Sequence, residues 1–129
     1  FEIDSLKLLK NLENNHFKIA LPIIGKNFKM DYYEWNFSEI LKTNDLGIPE
    51  PQKKKKVFPN VLLVPLVAFD KRNYRIGYGG GFYDRYIEKL KDKQIITIGL
   101  AYSNQRINKI KINDYDKKLN FVITDKYIQ

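Results

Sequence analysis

The sequence predicts an α/β fold: a mainly parallel sheet flanked by helices, in a three-layer αβα arrangement of Rossmann-like type. Two runs, residues 61–69 and 95–101, are apolar on both faces, as strands covered by helices on both sides must be. Between them lies a glycine cluster, residues 77–81, followed by Tyr83, Tyr86, Ile87 and Leu90 at helical spacing. The order strand, glycine loop, helix, strand describes a βαβ unit. In such sheets ligands bind beyond the carboxyl ends of the strands, and the glycine loop falls at that end.

The remaining elements follow from capping, periodicity and breakers. Asp4 or Ser5 caps a helix running to about Asn14, with Ile3, Leu6, Leu9 and Leu12 on one apolar face. Residues 17–24 read as a buried strand with Pro22 near its end, residues 25–27 as a turn, and residues 29–35 as a second strand at an edge. Residues 38–42 suggest a helical turn. Residues 44–59 hold Gly47, Pro49, Pro51, Pro59 and four consecutive lysines, and read as a long surface loop. The apolar run 61–69, interrupted by Pro65, leads into a polar turn at residues 70–74. A helix is expected over residues 82–93, a helical turn over 103–107, and a short last strand over 120–124.

The whole is 129 residues, a length expected to form one domain, residues 1–129. Hydrophobic residues at 43% and charged residues at 29% are globular proportions. A formal charge of +8 favours an anionic partner. The absence of cysteine excludes disulfides, thiolate zinc sites and cysteine nucleophiles, and the single histidine, His16, leaves no basis for a multi-histidine metal site. No apolar run approaches the ~18–20 residues that span a bilayer, so a cytoplasmic protein without membrane contact is expected. The chain begins at Phe1 and opens almost directly into a helical pattern, which reads as part of a longer protein.

Chemistry concentrates in the run Arg75-Ile76-Gly77-Tyr78-Gly79-Gly80-Gly81-Phe82-Tyr83-Asp84-Arg85-Tyr86. Glycines at this density let backbone approach an anion, and the following helix presents unsatisfied N–H groups at its positive end. The run matches neither GxGxxG, since position 82 is Phe, nor a Walker A loop. Arg75 supplies a charge-assisted bond to phosphate, and Asp84 a hard ligand for phosphate-bound Mg²⁺. Each feature has a plainer reading. The glycines suit a tight turn, Asp84 suits the first turn of any helix, and Tyr78, Phe82 and Tyr83 suit a core as well as a flat-ring ligand.

The run Val64-Pro65-Leu66-Val67-Ala68-Phe69-Asp70, followed by Arg75 through Tyr86, resembles the signature of the 5-formyltetrahydrofolate cyclo-ligase (5,10-methenyltetrahydrofolate synthetase) family. Further blocks stand in the family's order. Glu2-Ile3-Asp4-Ser5 resembles its acidic substrate-binding motif, with Ser where Thr is usual, and Ala20-Leu21-Pro22 follows. Gly47-Ile48-Pro49-Glu50-Pro51 resembles its Gly-Ile-Pro-Glu-Pro loop. Gly99-Leu100-Ala101-Tyr102 with Gln105 resembles a late strand, and residues 116–124 resemble the closing segment. Tyr115 stands where the family commonly has His. The family also carries an N-terminal region with an ATP-contacting basic cluster that has no counterpart here, so the chain is expected to be N-terminally incomplete and a poor binder of MgATP alone.

The resemblance implies ATP-dependent cyclisation of 5-formyltetrahydrofolate to 5,10-methenyltetrahydrofolate, with release of ADP and phosphate through a phosphorylated imidate. It implies an ATP site at Arg75, Ile76, Gly77, Tyr78, Gly79, Gly80, Gly81, Phe82 and Tyr83, with Arg75 and Tyr83 catalytic. It places folate on Glu2, Tyr78, Gly79, Gly80, Gly81 and Phe82, and Mg²⁺ on Asp84 and Asp116. Partners are then ATP and a folate, whether or not polyglutamylated, and neither nucleic acid nor membrane, in a monomer or weak dimer. Two other classes remain open from residues alone. The +8 charge and the aromatic content suit a nucleic-acid-binding module, although the aromatics cluster at glycines instead of among basic strand residues. An inactive scaffold retaining the fold is the other.

Overall fold

The computed structural model describes residues 4–129. These residues form two compact units, one over residues 4–59 and one over residues 60–129.

The first unit opens with α1 (Leu6–Asn14), whose backbone entry at Leu6 is held by Asp4 Oδ1 at 3.0 Å. The residue at the cap position is Ser5, whose side chain makes no capping bond; Asp4 instead holds the first helical N–H from two positions back. A three-stranded antiparallel sheet follows, in the order β1 (Ile19–Ile24), β2 (Met30–Trp35), β5 (Lys56–Val57). β1 and β2 pair along their whole length, Ile19 opposite Trp35 and Ile24 opposite Met30. Alternation puts Met30 and Tyr32 on one face and Trp35, with Ile19 and Ile23, on the other, and all five are buried. The edge position expected of β2 is overturned: it is the central strand, because Lys56 and Val57 pair with Tyr33 and Tyr32. The segment 44–59 is likewise more than a loop. Its start pairs back as a hairpin of β3 (Lys42–Thr43) and β4 (Pro49–Glu50), closed around Gly47, and residues 38–42 give way to that hairpin instead of forming a helical turn.

The second unit contains a parallel sheet in the order β10 (Phe121–Ile123), β9 (Ile96–Leu100), β6 (Val61–Val64). The chain is thus α/β with a parallel sheet and few helices. Pro65, which has no N–H to donate, ends β6 early, so the run 61–69 divides into β6 and β7 (Ala68–Phe69). β7 turns back on β8 (Arg75–Ile76), a hairpin not anticipated from the sequence, with Phe69 opposite Arg75. Then comes α2 (Phe82–Lys89), four residues shorter than expected. β9 runs parallel to β6, Leu63 beside Ile98. The core holds Leu62, Val64, Leu66, Phe69, Leu90, Leu119 and Val122, each at most 2% exposed. Gly99 sits where a β-carbon would come within 2.8 Å of both Leu66 and Leu119, so its absence of a side chain is a packing requirement.

A buried acid organises this unit. Asp70 is 0% exposed. Its Oδ2 accepts Arg72 Nε at 3.0 Å and Nη2 at 2.7 Å, and the Ile110 N–H at 3.1 Å. Its Oδ1 accepts the N–H groups of Arg72 and Tyr74 at 2.9 and 3.3 Å. Arg72 Nη2 continues to the Ile110 carbonyl at 2.7 Å, while Gln129 Nε2 bonds the Asp70 carbonyl and Asn73 Oδ1. Burial by itself would raise the Asp70 carboxyl, but the bonds from Ile110, Arg72 and Tyr74 outweigh it and hold the group below the ordinary range.

A carboxylate with a depressed folded value contributes stability that is complete above its unfolded value of ~4 and is lost as pH falls through the folded value. Urea midpoints of the wild type should therefore decline on acidification below about pH 4, with Asp70 contributing to the slope. Asp70→Asn should cost about 2–4 kcal/mol at neutral pH, below the cost of splitting a wholly buried pair because Arg72 is partly solvated. That variant should also show a shallower acid slope. An unchanged midpoint in Asp70→Asn would remove the organising role assigned to this residue.

Candidate active site

Arg75 leaves the Asp70 turn on β8 and its side chain folds inward, 5% exposed. Nη1 donates to the Pro65 carbonyl at 3.1 Å, so the proline that ends β6 also seats the guanidinium. Nη2 stands 3.7 Å from Asp84 Oδ1, and the Tyr83 ring centre lies 5.7 Å from the guanidinium carbon. The third nitrogen, Nε, is buried and has no hydrogen-bond partner among the described residues. Burial pushes the guanidinium below its ordinary value, and Asp84, Tyr83 and Asp116 oppose that shift. The side chain stays charged throughout.

The glycine loop takes its shape from this cation and from the start of α2. A β-carbon at Gly77 would collide with the Arg75 guanidinium. Gly81 is the residue before α2 and has φ +67°, a conformation L side chains rarely adopt. No side chain caps that helix start. Arg85 Nη1 holds the Gly80 carbonyl at 2.6 Å, which turns the N–H of the same planar peptide, that of Gly81, the opposite way. The helix thus begins with a fixed glycine peptide and backbone donors that no side chain caps, the arrangement that accepts anions at helix N-termini. Tyr78 is 60% exposed, and Phe82 and Tyr83 are half-buried.

Asp84 lies in the first turn of α2, and its Oδ1 also accepts the Lys117 N–H at 3.2 Å. This bond brings the residue after Asp116 onto Asp84. Asp116 closes a turn of its own, with Oδ2 accepting the Asn113 N–H at 2.9 Å. Asp84 Oδ2 and Asp116 Oδ1 receive no hydrogen bond from the described residues. Among the described residues no cluster of three or more His, Cys, Asp or Glu could hold a metal alone. Two carboxylates with hard oxygens to spare fit a Mg²⁺ ion that brings phosphate oxygens and waters as its remaining ligands.

Arg75, Tyr83 and Asp84 are therefore in direct contact, and Asp116 is delivered to the same neighbourhood through Lys117. Glu2 lies outside the described residues. Sequence reasoning missed three contributors: the Pro65 carbonyl, the Lys117 backbone and the Arg85 clamp. Arg85 had a local signal, standing five positions beyond Gly80 at the helix start. The other two are long-range pairings with no local signature. Gln105 supports the connection between β6 and β7, its Nε2 donating to the Val67 carbonyl at 3.1 Å.

A family model described as the 5-formyltetrahydrofolate cyclo-ligase family matches residues 1–125. The Haemophilus influenzae 5-formyltetrahydrofolate cyclo-ligase is 33% identical over 125 residues, covering 92% of this chain and 67% of that protein. The Escherichia coli K12 protein of the same name is 32% identical over 133 residues, covering 95% and 71%. Among solved structures, a 5,10-methenyltetrahydrofolate synthetase from Mycoplasma pneumoniae superposes with a TM-score of 0.72 at 27% identity, covering 97% of this chain and 67% of that one. The Aquifex aeolicus 5,10-methenyltetrahydrofolate synthetase gives 0.77 at 26% identity, covering 99% and 65%. The chain spans about two thirds of the length of these relatives. With the family model covering residues 1–125 and relatives at 32–33% identity over most of the chain, the chain belongs to the 5-formyltetrahydrofolate cyclo-ligase family of enzymes.

Proposed function

We propose that the chain carries the ATP- and folate-handling loop of an enzyme that cyclises 5-formyltetrahydrofolate to 5,10-methenyltetrahydrofolate. In the reaction, the formyl oxygen takes the γ-phosphoryl group of ATP and ADP leaves. N10 then attacks the activated formyl carbon, the carbon–oxygen bond breaks, and N10 gives up its proton as phosphate departs. An amide-like oxygen leaves poorly until phosphorylated, so the chemical task of the protein is alignment and charge neutralisation.

The observation that carries this reading is the buried Arg75 guanidinium with one donor unmet. A buried unpaired donor costs about 1–3 kcal/mol, a cost an incoming phosphate oxygen would remove. Around it, the N–H groups at the start of α2 would bind a second phosphate oxygen, and Gly77 leaves the guanidinium room to stay in place. Tyr83, beside Arg75, would sense and steady the transferring group. Tyr78 and Phe82, with Gly79 and Gly80, would form the folate side of the loop, and Glu2 its pterin contact. Asp84 and Asp116 would hold Mg²⁺, which when bound neutralises phosphate charge. The three-layer αβα arrangement, a cytoplasmic location and a monomer or weak dimer belong to the same reading. The parallel sheet of apolar strands supports the first. For the second, no described helix is long and apolar enough to cross a membrane.

Absorbance at the methenyl band, followed with 5-formyltetrahydrofolate with and without MgATP, tests the reaction directly. ATP-independent or absent product in the full-length protein would refute it. Arg75→Met should weaken ATP binding by roughly ten- to a hundredfold, the loss of a charge-assisted contact. Gly77→Ala should weaken it in the same direction by displacing the guanidinium, with near wild-type stability. Equal nucleotide affinity in both folded variants would remove Arg75 from the site. Asp84→Asn and Asp116→Asn should each raise the Mg²⁺ concentration needed for half-maximal turnover, and unchanged Mg²⁺ dependence would return both to structural roles.

A further inference from the structure

The unit of residues 4–59 contains a cavity of about 340 Å³ that the proposed reaction leaves unused. Its wall is Trp35, 5% exposed, with Ile19 and Phe17. Three carboxylates and three lysines face it, but most of the acids are already committed. Glu13 Oε2 accepts the Phe37 N–H at 3.0 Å and Oε1 pairs with Lys10. Glu34 Oε2 pairs with Lys55 at 3.4 Å. Glu39 differs. Its Oε1 accepts Asn36 Nδ2 at 2.9 Å, and its own carbonyl accepts Trp35 Nε1 at 3.2 Å, which fixes it against the aromatic wall. Its Oε2 is buried with no hydrogen-bond partner among the described residues. Lys18 and Lys54, also lining the cavity, take no part in the ion pairs above.

The groups left over are thus one buried acceptor, two cations and an aromatic wall. We propose that this cavity binds a small zwitterion of the α-amino-acid type, its ammonium on Glu39, its carboxylate on Lys18 or Lys54, and its side chain against Trp35. A lone cation would leave the lysines repelling it, and a lone anion would leave Glu39 unmet. A group with both charges on one carbon satisfies each. The volume lies at the small end of ligand pockets and suits one amino acid with an apolar or aromatic side chain.

Trp35 supplies the readout. Its fluorescence should change on titration with phenylalanine, saturably, in the whole chain. Phenethylamine and phenylpropionate, each keeping one charge, should bind roughly tenfold or more weakly. Glu39→Gln should lose roughly ten- to a hundredfold in phenylalanine affinity. Lys18→Ala with Lys54→Ala, placed on the cavity rim, should abolish the preference for phenylalanine over phenethylamine and leaves the buried wall untouched should Glu39→Gln fail to fold. Equal binding of phenylalanine and either half-molecule, or no response at millimolar concentration, would overturn the proposal. The proposed reaction rests chiefly on residues 75–116, none of which lines this cavity, so loss of either reading leaves the other standing.

Discussion

The buried carboxylate of Asp70 is the constraint on which the second unit depends. A charge removed from water needs compensation at each oxygen, and here Arg72, Tyr74 and Ile110 provide it. Those bonds set the turn after β7, whose closure is the Asp70 N–H on the Tyr74 carbonyl at 3.0 Å. The turn in turn sets the register of β8, with Arg75 opposite Phe69. The position of the site's cation is therefore decided by an acid that touches neither the glycine loop nor α2. The same acid reaches Ile110 and, through its carbonyl, Gln129, so the turn, the segment after β9 and the end of the chain are held at one point.

Arg75 is the counterpart to that constraint. Asp70 is fully satisfied and stabilises the fold, whereas Arg75 is buried with one donor unmatched and an acid at 3.7 Å, looser than a close pair. A site that stabilised its free state completely would have no binding energy left for the ligand. The incomplete satisfaction of Arg75 and the complete satisfaction of Asp70 stand five positions apart within one hairpin, a contrast the proposed reaction would use.

The α/β class and the parallel pairing of β6 with β9 were legible because both strands are apolar on either face and the loop between them is marked by glycine. The signature residues from Arg75 to Asp84 were legible as a contiguous run. The β7–β8 hairpin was not: Pro65 was visible, but an apolar sequence continues past it, and two-residue strands have no periodicity to read. β5 was hidden for a related reason. Lys56 and Val57 sit in a lysine run that reads as solvated, and only their pairing with Tyr33 and Tyr32 makes them a strand. Asp70 reads as a surface turn residue, since Ile110 and Gln129, which complete its burial, lie far along the chain. The Asp84–Lys117 bond that links the two candidate metal ligands is invisible for the same reason. Local pattern carried the elements; the long-range polar contacts that position the site have no local pattern.

The glycine loop shows how a motif's meaning depends on what surrounds it. Gly81 is required by its φ of +67°, and Gly77 by the guanidinium that occupies the place of its side chain. A β-carbon at Gly80 would lie 2.5 Å from the Phe82 ring. Each of these reasons concerns the protein's own atoms, so glycine density alone is no evidence for a phosphate. The pointer to an anion lies further back, at Arg75. Gly77 is needed because Arg75 is folded inward, and although Nη1 and Nη2 meet Pro65 and Asp84, the buried Nε is left unmet. The loop is thus shaped around the cation, and the cation is the feature that calls for an anion. In the proposed reaction, ligand recognition would begin at Arg75, with Gly77 as its consequence.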